Sequence, residues 1–120
     1  MLPAPGQGAL AVECRGGDGE LVAQLSLLDH GPSRAAVQAE RALLSALEAG
    51  CSAPVGGYAT AAGRELHLTG TVTEAYTSGL VPRSIRMSAT GPLDEAERLG
   101  RELAARMLDQ GAAGLMGKQL

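Results

Sequence analysis

Cys51 stands in the stretch "EAGCSAPVGGY", residues 48–58, directly after a glycine and three positions before a proline. The chain has one other cysteine, Cys14. A structural cysteine fills space on a strand or helix face like any small apolar group, whereas Cys51 is set on a hinge. Gly50 is the residue preferred just past a helix C-terminus, so the thiol follows the negative end of a helix dipole, which does not favour a thiolate. No His or Lys stands close by in sequence to compensate. The chemistry this placement suits is that of an accessible thiol on a loop, not of a protease or redox nucleophile.

Two further places carry polar chemistry. In "PAPGQG", Gln7 is held between Gly6 and Gly8, and glycines of this kind let a backbone approach another molecule closely. In the helix expected from about Ser33 to Ala49, Val37, Leu43, Leu44 and Leu47 gather on one side at about 100° per residue, with Glu40 near the middle of that stripe. A buried carboxylate needs a partner, since leaving it bare costs several kcal/mol. Arg41 points about 100° away and reaches it only by bending round the flank. A structural ion pair, Glu40 with Arg41, locking this helix to a neighbour is the expectation.

Composition removes other chemistries. The 120 residues carry a net charge of −3, with two tyrosines and no Trp or Phe, so there is neither a basic stripe nor a stacking platform for nucleic acid. Two cysteines cannot build a zinc site alone, and His30 and His67 lie at no ligand-like spacing from them. No metal is expected. No apolar run is long enough to cross a bilayer, and "MLPAPGQGAL" has no signal pattern, so a soluble cytoplasmic chain with reduced thiols is the expectation.

The elements that must position these groups follow from periodicity. "GALAVECR", residues 8–15, reads as a buried strand with Cys14 as a packing residue, followed by a helix in "GDGELVAQLSLLD" that "DHGPS" breaks. After Cys51, "GYATAAG" and "RELHLTGTVT" alternate with period two around a Gly63-Arg64 hairpin. Leu66, Leu68 and Val72 face one way, and Glu65, His67, Thr69, Thr71 and Thr73 the other. A third strand lies around "RSIRMSAT", reached through the long connection "EAYTSGLVPRS". A last helix opens at a capping box of Asp94 and Glu97 and buries Ala96, Leu99, Leu103 and Met107. The expected fold class is α+β: a three-stranded antiparallel sheet packed against helices, preceded by one strand and one helix left from an α/β domain.

"LPAPGQGALAVECR" followed by "AERALLSALEAGCSAPVGGYA" resembles porphobilinogen deaminase, the hydroxymethylbilane synthase family, over nearly the whole chain but only over that family's C-terminal portion. The resemblance implies that residues 1–29 are the end of the second domain and residues 30–120 the third, cofactor-attachment domain. It implies a dipyrromethane cofactor held by a thioether to Cys51, formed when the thiol attacks an electrophilic azafulvene once. On that tether four porphobilinogen units are joined head to tail with loss of ammonia, and the product leaves as hydroxymethylbilane. Gln7 and Gly8 match the family's cofactor-facing segment, and Glu40-Arg41 its pair on the helix leading to the cysteine. The catalytic aspartate and most carboxylate-binding arginines belong to the N-terminal region, so no catalytic residue is assigned here. The resemblance further implies a monomeric whole enzyme and an inactive C-terminal piece with a free thiol at Cys51; a strand cut from its parent sheet exposes apolar surface, so self-association of the piece is also expected. Two readings from other classes stand beside it: a non-catalytic α+β binding module, and a cysteine hydrolase or redox protein needing His30 or His67 beside Cys51.

Overall fold

The computed structural model describes residues 2–47, 55–74 and 83–115. Helix α1 (Gly19–Leu25) is followed by α2 (Gly31–Ala46), strands β1 (Val55–Ala62), β2 (Glu65–Thr73) and β3 (Ser84–Pro92), then α3 (Ala96–Asp109) and the short α4 (Ala112–Leu115). The strands form an antiparallel sheet in the order β1-β2-β3. This is the α+β arrangement expected.

The period-two pattern sets which side of the sheet is covered. Leu66, Leu68 and Val72 are buried, and Ile85, Met87 and Ala89 of β3 pack against the same core. From the helices, Ala39, Leu43 and Leu47 come down from α2, and Leu99, Leu103 and Met107 from α3. On the opposite face Tyr58, His67 and Arg86 are exposed, and Thr69 pairs its hydroxyl with that of Ser88 at 2.9 Å. Gly63, at φ +62°, makes the β1–β2 hairpin with Arg64, where a left-handed residue is required.

Close approach between layers also depends on missing side chains. Gly57 and Gly70 are paired across β1 and β2, and a Cβ on Gly70 would stand 2.8 Å from Leu43 Cδ2 and 3.1 Å from Met107 Sδ. At Gly100, where α3 crosses α2, a Cβ would lie 2.5 Å from the Ala39 carbonyl oxygen and 2.7 Å from Ala42 Cβ.

Four expectations are corrected. Residues 8–15 form no strand, and Cys14 is exposed rather than packed, because an extended segment becomes a strand only against a partner edge and none of the described strands lies beside it. The first helix ends at Leu25, continues as one 3₁₀ turn over Ser26–Leu28, and buries no residue. Helix α2 begins at Gly31, not Ser33: His30 Nδ1 accepts from the Ser33 N–H at 3.3 Å, and Pro32 is tolerated in a first turn whose amides need no helical partner. The Asp94–Glu97 capping box is absent, because a 3₁₀ turn over Leu93–Glu95 moves the cap position to Glu95, which makes no side-chain cap bond. The helix end at Gly50 and the connection over residues 75–82 lie outside the described residues.

Candidate functional site

A strap formed by residues 2–6 lies over the edge of β1. It is recognised by two close approaches, both permitted by glycine. A Cβ on Gly56 would meet Leu2 Cβ at 3.0 Å and the Leu2 carbonyl oxygen at 3.1 Å, on the open face of the sheet. One residue on, a Cβ on Gly57 would meet Pro5 Cγ at 3.3 Å on the core side. The strap thus straddles the strand, and the Gly57 N–H donates to the Pro3 carbonyl at 2.8 Å.

The next outward-pointing amide of β1, two residues along, belongs to Ala59. It donates to Glu40 Oε2 at 2.9 Å, while the Gly6 N–H donates to Glu40 Oε1 at 2.6 Å. Strap carbonyl and helix carboxylate together occupy the places a fourth strand would fill, so this edge is closed without one. Glu40 is 6% exposed, and both its oxygens are engaged.

The expected Glu40–Arg41 ion pair is therefore corrected. Glu40 is buried and partnered, but by two backbone amides, which answer the cost of a buried carboxylate without a cation. Arg41 is exposed and forms no ion pair among the described residues. It lines an open groove with Gln38, Ser45, Glu97 and Arg101 on the outer side of α2 and α3. The angular argument that aimed Arg41 away from Glu40 is the part that holds.

Beyond the clasped Gly6 the chain turns. Gln7 N–H donates to the Ala4 carbonyl at 3.0 Å, Gln7 Oε1 accepts from the Ala4 N–H at 3.2 Å, and Ala9 N–H donates to the Gly6 carbonyl at 3.2 Å. Gly6 and Gly8 sit at φ +76° and +86°, the left-handed conformation this double turn needs. The Gln7 carboxamide oxygen is thereby used, and its NH2 and the Gly8 N–H have no partner among the described residues. Both residues are exposed, and nothing stands within 4 Å of where a Gly8 side chain would project. Adjacent, unspent N–H donors in open space suit a ligand bearing carboxylates.

Cys51, the first candidate, lies outside the described residues. The elements that precede and follow it in the chain are α2, which ends at Ala46, and β1, which begins at Val55. Sequence reasoning missed the strap. Its signal was the pair Gly56-Gly57 together with "LPAPG", a bare stretch of strand and a stiff segment without bulky side chains. Of the two histidines, His30 is engaged with Ser33 Oγ at 2.7 Å, and His67 is exposed on the open face of the sheet. Among the described residues no cluster of His, Cys, Asp or Glu is placed to hold a metal, and no helix is long and apolar enough to cross a membrane.

Residues 34–109 match the family model described as porphobilinogen deaminase, C-terminal domain. Porphobilinogen deaminase 1 of Streptomyces avermitilis is 54% identical over 128 residues, covering 99% of this chain and 38% of that protein. Porphobilinogen deaminase 1 of Streptomyces coelicolor is 52% identical, covering 99% of this chain and 39% of that protein. Porphobilinogen deaminase of Mycobacterium tuberculosis is 51% identical over 125 residues, covering 97% of this chain and 39% of that protein. The chain spans under two fifths of each of these relatives. A three-stranded sheet backed by α2 and α3, with a glycine-flanked glutamine strapped to its edge, is thus the folded form of a sequence that belongs to the porphobilinogen deaminase family and corresponds to its C-terminal part.

Proposed function

We propose that this chain is the cofactor-attachment part of a porphobilinogen deaminase, in which Cys51 holds a dipyrromethane through a thioether bond. The observation that carries the reading is the juxtaposition made by Glu40: it fastens the turn bearing the Gln7 and Gly8 donors to the helix and strand that flank Cys51 in the chain. Those donors fit the group, whose acetate and propionate side chains accept hydrogen bonds, and nothing stands within 4 Å of where a Gly8 side chain would project. When bound, the dipyrromethane supplies the carbon to which incoming porphobilinogen units are joined. The chain's own residues have narrower duties. Cys51 anchors, Gln7 Nε2 and the Gly8 N–H hold carboxylates, and Glu40 keeps turn and sheet in register. An anchor of this kind needs reach more than an activated thiolate.

The division into residues 1–29, the end of a preceding domain, and 30–120, the attachment domain, is part of the same proposal. It is supported by α1, which buries nothing, and by Leu10, Val12, Leu27 and Leu28, which are all exposed on one side of that boundary. The strap refines it, since residues 2–6 pack with the second unit. The whole enzyme is proposed to be cytoplasmic and monomeric, with porphobilinogen and the growing polypyrrole as its small-molecule partners, and with neither nucleic acid nor membrane among them.

Charge developing on the pyrrole nitrogen is stabilised, in this reading, by residues of the N-terminal part of the family. Without that electrostatic contribution, usually the largest in catalysis, the chain alone is expected to be silent. Porphobilinogen consumption by the chain should equal that of its Cys51→Ala variant. Turnover above that control contradicts the proposal. Intact mass should show an unmodified Cys51 thiol in the isolated chain.

A further inference from the structure

The two edges of the sheet differ. At β1 the amides that point away from the sheet, those of Gly57 and Ala59, are taken by the Pro3 carbonyl and by Glu40. Hydrogen bonding alternates along an antiparallel strand, so Tyr58, between them, turns its amide to β2. Its partner Thr69 faces back to β1, which leaves Leu68 and Gly70 to bond β3 through Ala89 and Met87. The Glu74 N–H on the Arg83 carbonyl keeps the same alternation. The main-chain groups of Arg86, Ser88 and Thr90 therefore point away from β2, and their amides have no partner among the described residues. The pairing runs unbroken from Thr73 with Ser84 to Glu65 with Pro92, so neither a bulge nor a mid-strand proline blunts this edge.

Side chains give the edge two faces. Toward the helices, Ile85, Met87 and Ala89 stay half-buried where Leu66, Leu68 and Val72 of β2 are fully covered, so the core is open along this side. On the other face Ser84, Arg86, Ser88 and Thr90 are all exposed. Arg86 forms no ion pair among the described residues, whereas Arg83 and Arg98, at the two ends of β3, are held by carboxylates. We infer that the β3 edge is a docking strip for a second polypeptide, which adds as a fourth strand an extended segment of alternating apolar and polar residues with a carboxylate opposite Arg86. Main-chain bonds supply affinity in such an addition, and the alternation supplies specificity. A second copy of β3 lacks that chemistry, since "SIRMSATGP" holds no Asp or Glu and its proline has no N–H to donate. The strap sets the N-terminal end of the chain at the opposite edge, so the occupant proposed belongs to a separate molecule.

The test uses the full 120-residue chain and the peptide acetyl-Thr-Val-Thr-Val-Glu-Val-Thr-amide. Paired antiparallel with residues 84–90, it sets valines beside Ile85, Met87 and Ala89 and its glutamate opposite Arg86. Saturating peptide is expected to slow amide exchange by about tenfold or more at Arg86, Ser88 and Thr90, and to leave Leu68 and Leu103 unchanged. Lysine in place of the glutamate should weaken binding about threefold or more, and Arg86→Glu should reverse the preference. Ser88→Pro removes an N–H that β2 does not use, along with the hydroxyl bond to Thr69, so it should keep Leu68 protected and abolish binding. Arg86→Glu, an exposed change, decides the matter should the proline variant fail to fold. Exchange at the three edge amides unmoved by peptide overturns the proposal, as does equal binding of the glutamate and lysine peptides, or binding by a folded Ser88→Pro chain. Slow edge exchange without peptide overturns it too: slowing that grows with concentration assigns the edge to a second copy. Slowing that appears only when the N-terminal portion of the Streptomyces avermitilis relative is fused ahead of the chain assigns it to that portion.

Discussion

Glu40 shows how a single residue settles a local balance. A carboxylate with 6% exposure would be driven out of the core were its two oxygens not met by the Gly6 and Ala59 amides. Glu40→Ala removes the acceptors and leaves the Ala59 donor buried without one, at a cost of about 1–3 kcal/mol for that donor alone. Chemical denaturation should therefore show a loss of about 2 kcal/mol or more in Glu40→Ala, and Arg41→Ala, which removes an exposed side chain, should change stability by less than about 0.5 kcal/mol. Gly100 is the second residue where one group decides. An added methyl would meet the Ala39 carbonyl at 2.5 Å, and neither helix backbone can yield cheaply. Gly100→Ala is expected to cost about 2 kcal/mol or more by the same measurement. Gly70→Ala meets the movable ends of Leu43 and Met107 and should cost less.

At the scale of elements, the neck joining β2 to β3 is closed by Glu74 and Arg83. The Glu74 N–H donates to the Arg83 carbonyl at 2.7 Å, and Arg83 Nη2 and Nε donate to Glu74 Oε2 at 2.6 and 3.1 Å. These side-chain hydrogen bonds, aided by the charge of Arg83, hold the Glu74 carboxyl below the ordinary carboxylate range. A carboxyl lowered in the folded state stabilises it above the ordinary range, and that contribution is lost as pH falls through the lowered value. A carbon-detected NMR titration should show the Glu74 midpoint rising in Arg83→Ala, with the neck amides already loosened at neutral pH and no longer responding to acid through this pair; an unmoved midpoint contradicts the pairing. The strands of this sheet were legible because their faces differ: Leu66, Leu68 and Val72 alternate with hydroxyl and charged residues along β2. The last helix was legible for the same reason, its apolar residues recurring at helical spacing. Helix starts were not, because His30 caps a helix that begins at Gly31 where a start near Ser33 was expected, and a 3₁₀ turn stands where the Asp94–Glu97 capping box was expected. Nor was the clasp, since both donors to Glu40 are main-chain groups, and backbone amides leave no trace in residue type.

The whole molecule is unevenly covered. Leu10 is 98% exposed and Leu27 86%, next to an α1 that buries nothing, while α2, α3 and the sheet share a continuous core. Apolar surface of this kind drives association when nothing covers it. Sedimentation should show the isolated chain self-associating as its concentration rises, and Leu10→Lys with Leu27→Lys should suppress this; a parent that stays monomeric throughout contradicts it. The apolar run over residues 8–15 was correctly seen in the sequence, but its state was not, because strand formation depends on a neighbour the run itself does not encode. Gln7 and Glu40 stood out in the sequence by residue type, but the turn that holds one and the amides that hold the other did not. The role of Cys51 as lifelong anchor is tested most directly by placing residues 1–120 behind the N-terminal portion of the Streptomyces avermitilis relative, allowing turnover, and sequencing peptides by mass. The peptide holding Cys51 should carry the mass of two linked pyrrole units, the Cys14 peptide none, and Cys51→Ser should abolish product. Product formed by the Cys51→Ser chimera, or by a chimera whose Cys51 peptide stays unmodified, would contradict the anchor.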